Sequence, residues 1–214
     1  QGGGNLCVGR GGGAGGGGGR GGGGRGGRGA PADTTPPAPQ PNPGLCVATF
    51  TCGYTLSVMI AEVATPNEAK EVWHNQPNDR EVTNLANIRW VGDNIVYPYT
   101  PNNDDFDRYY TLNVMTPSAR PVQLTTTNGI IEDATSVAFS PDGKTLYYCT
   151  NASDIEKRHI WSVPTTGGTP KQISTDDGIE TYPQPLASGK QLAVLYFDAR
   201  TPASIGLVPA DGGK

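Results

Sequence analysis

His74 and His159 are the only two imidazoles in 214 residues, so acid–base or metal chemistry in this chain must run through one of them or through carboxylates. Each stands at the edge of a strand-like stretch. His74 follows Trp73, and His159 follows Lys157-Arg158 and precedes Ile160, which reads as two surface or strand-edge residues. Asp104-Asp105-x-Asp107 offers three carboxylates on one turning segment, the kind of oxygen supply a hard cation needs. It lacks the glycine and the distal glutamate of a calcium loop, so no metal is expected there. Cys7, Cys46, Cys52 and Cys149 form no CxxC pair and have no histidine at zinc spacing. They read as buried free thiols; Cys46 and Cys52 would bridge only if the backbone doubled back between them. Asn151-Ala152-Ser153 fits a glycosylation acceptor, which matters only in a eukaryotic secretory setting. The residue types therefore predict no catalytic residue, no metal and no cofactor.

The elements that would position these residues divide into two compositions. Of the 31 glycines, 19 fall in residues 1–30, and Pro31, Pro36, Pro37, Pro39, Pro41 and Pro43 follow. Neither stretch can bury a core: Gly-rich chain is flexible coil and Pro-rich chain an extended spacer. Residues 1–44 read as a low-complexity segment and residues 45–214 as the folded body. Leu6-Cys7-Val8 before the segment and Leu45-Cys46-Val47 after it suggest a loop inserted between two strands. Arg20-Gly21, Arg25-Gly26-Gly27 and Arg28-Gly29 resemble the Arg-Gly runs of RNA-binding proteins, but no aromatic residue stands among them to stack on bases. Nucleic acid is therefore not the expected partner. Net charge is −4; without Arg10, Arg20, Arg25, Arg28 and Asp33 the body keeps 12 basic against 19 acidic residues, or −7. That balance favours solubility and cationic ligands. No apolar run reaches the length of a membrane span, and no secretory signal is visible. The compartment stays open, with a leaning towards periplasm or secretion.

From Leu45 onward the apolar residues alternate in short runs, as in Ile95, Tyr97 and Tyr99 or Leu192, Val194 and Tyr196. Alternation of this kind predicts strands and no helix. Pro66-Asn67 reads as a hairpin turn. A repeat emerges at once. Tyr110-Thr111-Leu112-Asn113-Val114 with Pro121-Val122-Gln123-Leu124-Thr125 aligns without gaps on His159-Ile160-Trp161-Ser162-Val163 with Pro170-Lys171-Gln172-Ile173-Ser174, at an offset of 49. Val63, Val114, Val163 and Val208 mark successive units. Each unit has an upstream tight turn: Pro141-Asp142-Gly143, Ser188-Gly189 and Gly92-Asp93. Four antiparallel strands every ~45 to 50 residues are the signature of a β-propeller blade. The fold class is all-β, a partial propeller of three to four blades with the last one incomplete, and Trp90, Phe139 and Trp161 are expected in the blade cores. Open blade edges would favour association into oligomers.

Ala138-Phe139-Ser140-Pro141-Asp142-Gly143-Lys144, followed by Ile160-Trp161-Ser162-Val163 and Gly167-Gly168, resembles the WD40-like propeller repeat. That repeat occurs in the N-terminal domain of prolyl-oligopeptidase family serine peptidases, of dipeptidyl-peptidase and acylaminoacyl-peptidase type, and in Tol-type periplasmic propellers. The long charged loops and Asn151 through Trp161 resemble the peptidase propellers more closely. The resemblance implies a noncatalytic domain that caps an α/β-hydrolase domain and restricts which peptides reach it. No serine from Ser57 to Ser204 has the flanking glycines of a GxSxG elbow, so hydrolysis would be done outside these residues. The alternative is a free-standing Tol-type or scaffold propeller that binds proteins.

In a propeller, the loops from second to third strand and those from fourth strand to the next blade emerge on one face. Here that face would collect Asp104, Asp105, Asp107, Asp154, Glu156 and Asp198 with Glu132, Asp133, Asp176, Asp177 and Glu180. The bland expectation is solvated loops, since single surface charges contribute little. The sharper one is a surface that attracts cationic peptide ends or docks a basic patch of the hydrolase domain.

Overall fold

A computed structural model describes residues 54, 56–76, 88–101 and 104–213. The Gly- and Pro-rich segment, its flanking apolar words and the Cys46–Cys52 question lie outside the described residues. Thirteen strands are described, with only short 3-10 turns beside them. They form four antiparallel sheets: β1 (Ser57–Ile60) with β2 (Lys70–His74); β3 (Arg89–Val91), β4 (Asn94–Pro98), β5 (Tyr109–Asn113) and β6 (Val122–Gln123); β7 (Val137–Phe139), β8 (Thr145–Thr150), β9 (His159–Pro164) and β10 (Lys171–Gln172); and β11 (Ile179–Pro185), β12 (Gln191–Phe197) and β13 (Ser204–Pro209). Within each sheet, strand order follows chain order. This is an all-β partial propeller.

The core lies between sheets. On β8, Leu146 and Tyr148 pack with Val96, Tyr109, Leu124, Ile131 and Val163 towards the preceding blade. Tyr147 and Cys149, on the opposite face, pack with Ile160, Ile173, Leu192, Val194 and Val208 towards the next. β4 does the same, sending Ile95 and Tyr97 into a third cluster and Val96 into the first. A strand buried on both faces needs apolar residues at consecutive positions, and period-two alternation then deals them to two different cores. One sheet alone buries neither face.

Local chemistry fixes the hairpins. At the first turn of the third sheet, Ser140 Oγ donates to Asp142 Oδ1 at 2.6 Å, the Lys144 amide donates to the same oxygen at 3.1 Å, and Gly143 takes φ 72°. Gly92 (φ 57°) and Gly189 (φ 69°) occupy the equivalent corners, which only glycine enters without strain. At the other end a buried polar side chain repeats. Asn75 Oδ1, Thr125 Oγ1 and Ser174 Oγ accept the amides of Leu56, Tyr109 and Ile160 at 3.0, 2.9 and 2.8 Å. Each ties the strand that follows the hairpin to its outer neighbour where the ladder ends.

Three expectations need correction. Val63 is 97% exposed in the turn after β1 and marks no strand. The offset of 49 holds for the outermost strands, because Thr125 and Ser174 play one role, but the third strand runs at 51: Tyr109 and Ile160 are equivalent, as are the Val114 amide bound to Asp93 and the Thr165 amide bound to Lys144. Leu112, not Val114, therefore matches Val163. The connection from β5 to β6 absorbs the two extra residues. A slip of two leaves every side chain on its original face, so alternation alone could not reveal it. Finally, Trp90 is 60% exposed rather than in a blade core, whereas Phe139 and Trp161 do pack against the cluster of Leu146 and Tyr148.

Candidate functional site

Basic residues tie loops that join second to third strands to the neighbouring segments that cross to the next sheet. Arg108, at the mouth of β5 and 5% exposed, donates from Nε to Asp104 Oδ2 at 2.7 Å and from Nη2 to Oδ1 at 3.0 Å. The same guanidinium reaches across to the Thr127 carbonyl at 2.6 Å and Asn128 Oδ1 at 2.9 Å. Its hydrogen bonds hold Asp104 below the usual carboxylate range. Lys157 Nζ lies 3.4 Å from Asp177 and 3.9 Å from Asp154, and Arg158 donates to Glu132 at 2.9 Å. Asp198 closes its own loop, accepting the Tyr196 hydroxyl at 2.8 Å and the amides of Arg200 and Thr201. Asp133 caps a 3-10 turn by accepting the Thr135 and Ser136 amides. Asp105, Asp107, Glu156 and Asp176 remain exposed, Asp107 accepting from Thr100 at 2.9 Å. The face is thus an ion-pair lattice with scattered free carboxylates. Arg108, Lys157 and Arg158 were legible as charges in the same loops as Asp104 and Asp154, but their other partners, Asn128, Asp177 and Glu132, lie 20 to 26 residues away on crossing segments.

Two residues sit elsewhere than the sequence suggested. His159 is buried, not at a surface edge, and Glu180 leaves the acidic face for the interior at 1% exposed. His159 Nδ1 lies 2.8 Å from Glu180 Oε2, Ser174 Oγ donates to that oxygen at 3.0 Å, and Cys149 Sγ donates to the Glu180 carbonyl at 3.3 Å. Burial pushes the Glu180 carboxyl up, while His159 and Ser174 pull it back. Burial also pushes the Cys149 thiol up to about 12, so it is an inert core group. Ser174 is bonded to the glutamate and not to the histidine, and all three are buried; the cluster locks the third sheet to the fourth and offers no nucleophile. Asn151 is committed as well, its Oδ1 accepting the Ile130 amide at 2.8 Å.

Two glycines were missed by sequence reasoning. A Cβ on Gly178 would stand 2.7 Å from the Phe197 carbonyl oxygen and 2.6 Å from the Tyr196 ring, and one on Gly129 would collide with Thr150 Oγ1 and stand 2.7 Å from the Ala152 backbone. They are equivalent positions at an offset of 49, each letting the crossing segment press against the end of the next blade's second strand. The repeated Asn-Gly-Ile and Asp-Gly-Ile at 128–130 and 177–179 was the available signal.

Towards the axis, the first strands β3, β7 and β11 border a cleft of about 570 Å³ lined by Arg89, Trp90, Phe139, Gln184 and Pro185 among others. Tyr182, on bulged β11, is exposed and holds φ 55°. Among the described residues no three of His, Cys, Asp and Glu are grouped to hold a metal, and no described helix is long and apolar enough to cross a membrane.

Residues 47–202 match the family model of the dipeptidyl peptidase IV (DPP IV) N-terminal region. The chain belongs to that family. The inter-blade cores and the repeated turns described above are this family's propeller as this chain builds it. Among solved structures, dipeptidyl peptidase 4 from Porphyromonas gingivalis is similar at 14% identity and TM-score 0.50, covering 68% of this chain and 20% of that one. TolB from Acinetobacter baumannii aligns at 14% identity and TM-score 0.49, over 74% of this chain and 36% of that one. This DPP IV-type propeller chain spans between a fifth and about half of the length of the solved chains it resembles. No curated protein matches it.

Proposed function

We propose that these residues are the noncatalytic propeller part of a serine peptidase, docking on an α/β-hydrolase domain that lies outside residues 1–214 and gating the peptides that reach it. The carrying observation is the family match over residues 47–202. Peptide substrates and the hydrolase domain of the same parent chain are then the partners. The cleft between β3, β7 and β11 supports the gating role, since Trp90, Phe139 and Pro185 give it apolar walls and Arg89 and Gln184 a polar edge. The loop face supports docking: its exposed carboxylates Asp105, Glu156 and Asp176 suit a basic patch, while its ion pairs hold the loops in place.

The experiment has two arms. The reading frame around these residues is sequenced and should encode GxSxG followed by Asp and then His. The hydrolase so found is expressed separately and mixed with residues 1–214, with and without Asp105→Lys and Glu156→Lys. Binding that weakens in the double variant supports the docking face. A frame with no hydrolase sequence removes the peptidase assignment and leaves a propeller that binds other proteins.

A further inference from the structure

One group of donor side chains belongs to neither the loop face nor the cleft: Tyr54, Ser57, Met59, Glu71 and His74, on the outer face of the β1–β2 hairpin. Glu71 and His74 are three apart on one strand, and in an even ladder they would point to opposite faces. The register prevents that. Ser57 pairs with His74 and Val58 with Trp73, but Met59 then pairs with Glu71, so Val72 is the extra residue of a β-bulge. One extra residue reverses the alternation and brings both side chains to the face that carries Ser57 and Met59. Bulges re-aim side chains in just this way beside sites.

The resulting geometry is tight. His74 Nδ1 stands 2.8 Å from Glu71 Oε1. Glu71 Oε2 accepts from Ser57 Oγ at 2.6 Å and from the Tyr54 hydroxyl at 2.8 Å, and Ser57 Oγ lies 3.6 Å from Met59 Sδ. The Tyr54 ring lies flat on the imidazole, with centroids 4.1 Å apart and planes 13° apart. Glu71 and His74 keep 33% and 44% of their side-chain surface open, so solutes reach them.

Serine, histidine and glutamate together suggest hydrolysis, but the wiring is wrong for it. Ser57 donates to the carboxylate rather than to the imidazole. Bonds from Ser57, His74 and Tyr54 hold that carboxylate down to about 2, too weak a base to activate a hydroxyl. What the face does offer is lone pairs on nitrogen, oxygen and sulfur. The 2.8 Å between Nδ1 and Oε1 is near the ~3 Å separating adjacent ligands that each lie ~2.0 to 2.1 Å from one cation. A thioether beside an imidazole and a carboxylate selects copper ahead of harder metals.

We propose that the bulged face of β1–β2 is a copper site, with His74 Nδ1 and a Glu71 oxygen as ligands and Met59 Sδ as the softer third. Cu2+ enters without change of oxidation state. The hydrogen bond between His74 and Glu71 gives way to two metal–ligand bonds, and the Nδ1 proton moves to Nε2 of a neutral ring or leaves a protonated ring for solvent. Tyr54 holds the ring plane by stacking and steadies the carboxylate through its hydroxyl.

The test uses the full chain with its accessible thiols alkylated, because thiolates bind copper. Cupric chloride is titrated by equilibrium dialysis and the bound ion read by electron paramagnetic resonance. One equivalent should bind at about 10 μM or tighter, with nitrogen hyperfine splitting from an imidazole. His74→Gln and Glu71→Gln should each weaken binding about tenfold or more, and Met59→Leu should weaken cuprous ion more than cupric. Circular dichroism and the thermal melt report whether each variant stays folded, and both polar replacements lie on solvent. If Glu71→Gln unfolds, His74→Gln decides alone. Binding that His74→Gln leaves unchanged, or no bound copper at about 100 μM, overturns the site.

Discussion

Replacing His159 with alanine isolates the buried pair that locks the third sheet to the fourth. Glu180 is 1% exposed, and its Oε1 has no hydrogen-bond partner, so Oε2 carries the whole attachment through His159 and Ser174. Removing one member of a buried pair costs about 3 to 5 kcal/mol, because the survivor is left without compensation. The cost must depend on pH. Burial raises the Glu180 carboxyl, Asp176 raises it further, and His159 and Ser174 lower it. A carboxyl raised in the folded state contributes stability that is complete below its unfolded value of about 4.3 and is lost as pH rises through its folded value. Without His159 the main downward influence is gone, and the loss extends towards neutrality. The variant should therefore lie closest to wild type near pH 4.5 and furthest from it near pH 7. Adding Glu180→Gln should recover part of the deficit at pH 7, since an amide carries no charge to bury. The neighbouring Arg158–Glu132 pair is present in every protein compared and cancels. Urea unfolding followed by tryptophan fluorescence at four pH values measures all three proteins. A gap that stays constant across pH, or a double variant no better than His159→Ala at pH 7, refutes the reasoning.

Gly178→Ala forces a Cβ to 2.7 Å from a backbone carbonyl that cannot swing aside; it should cost about 1 to 3 kcal/mol, read as a lower melting temperature, and a variant as stable as wild type would show that the crossing segment is loose. Thr125→Val and Ser174→Ala each orphan a buried strand amide and should cost about 1 to 3 kcal/mol in urea unfolding, whereas a neutral result would mean water replaces the bond. Tyr97→Phe removes a buried hydroxyl with no partner and should be neutral or stabilise by up to about 1 kcal/mol; a clear loss would reveal a bonded hydroxyl. Residues 1–214 should neither hydrolyse peptidyl esters nor take up a serine-directed phosphonate, as scored by mass spectrometry.

Much of the architecture was legible in the residues. Pro141-Asp142-Gly143 announces a hairpin through turn chemistry that operates within four residues. Apolar alternation announces the strands; that Tyr147 and Cys149 are buried as well as Leu146 and Tyr148 was decided by the packing of a sheet on each side. The misreadings have equally physical causes. Alternation is blind to slips of two, so Val114 was matched to Val163 when Leu112 stands in its place. Trp90 is apolar and sits in a strand, yet β3 borders the cleft, and what would cover it there lies beyond its own sheet.

Sequence by itself determined what is decided within a turn or along one strand: the hairpins, the strand period, the four-strand unit, and the lack of a nucleophile elbow. Only the tertiary structure decided which side chains meet across sheets and across a bulge. His159 finds Glu180 from 21 positions away in the next sheet, and Val72, as one unpaired residue, swings Glu71 and His74 to the same side. Hydrogen-bonded registers and inter-blade distances are set by the packing of many residues at once, and no local pattern carries that information.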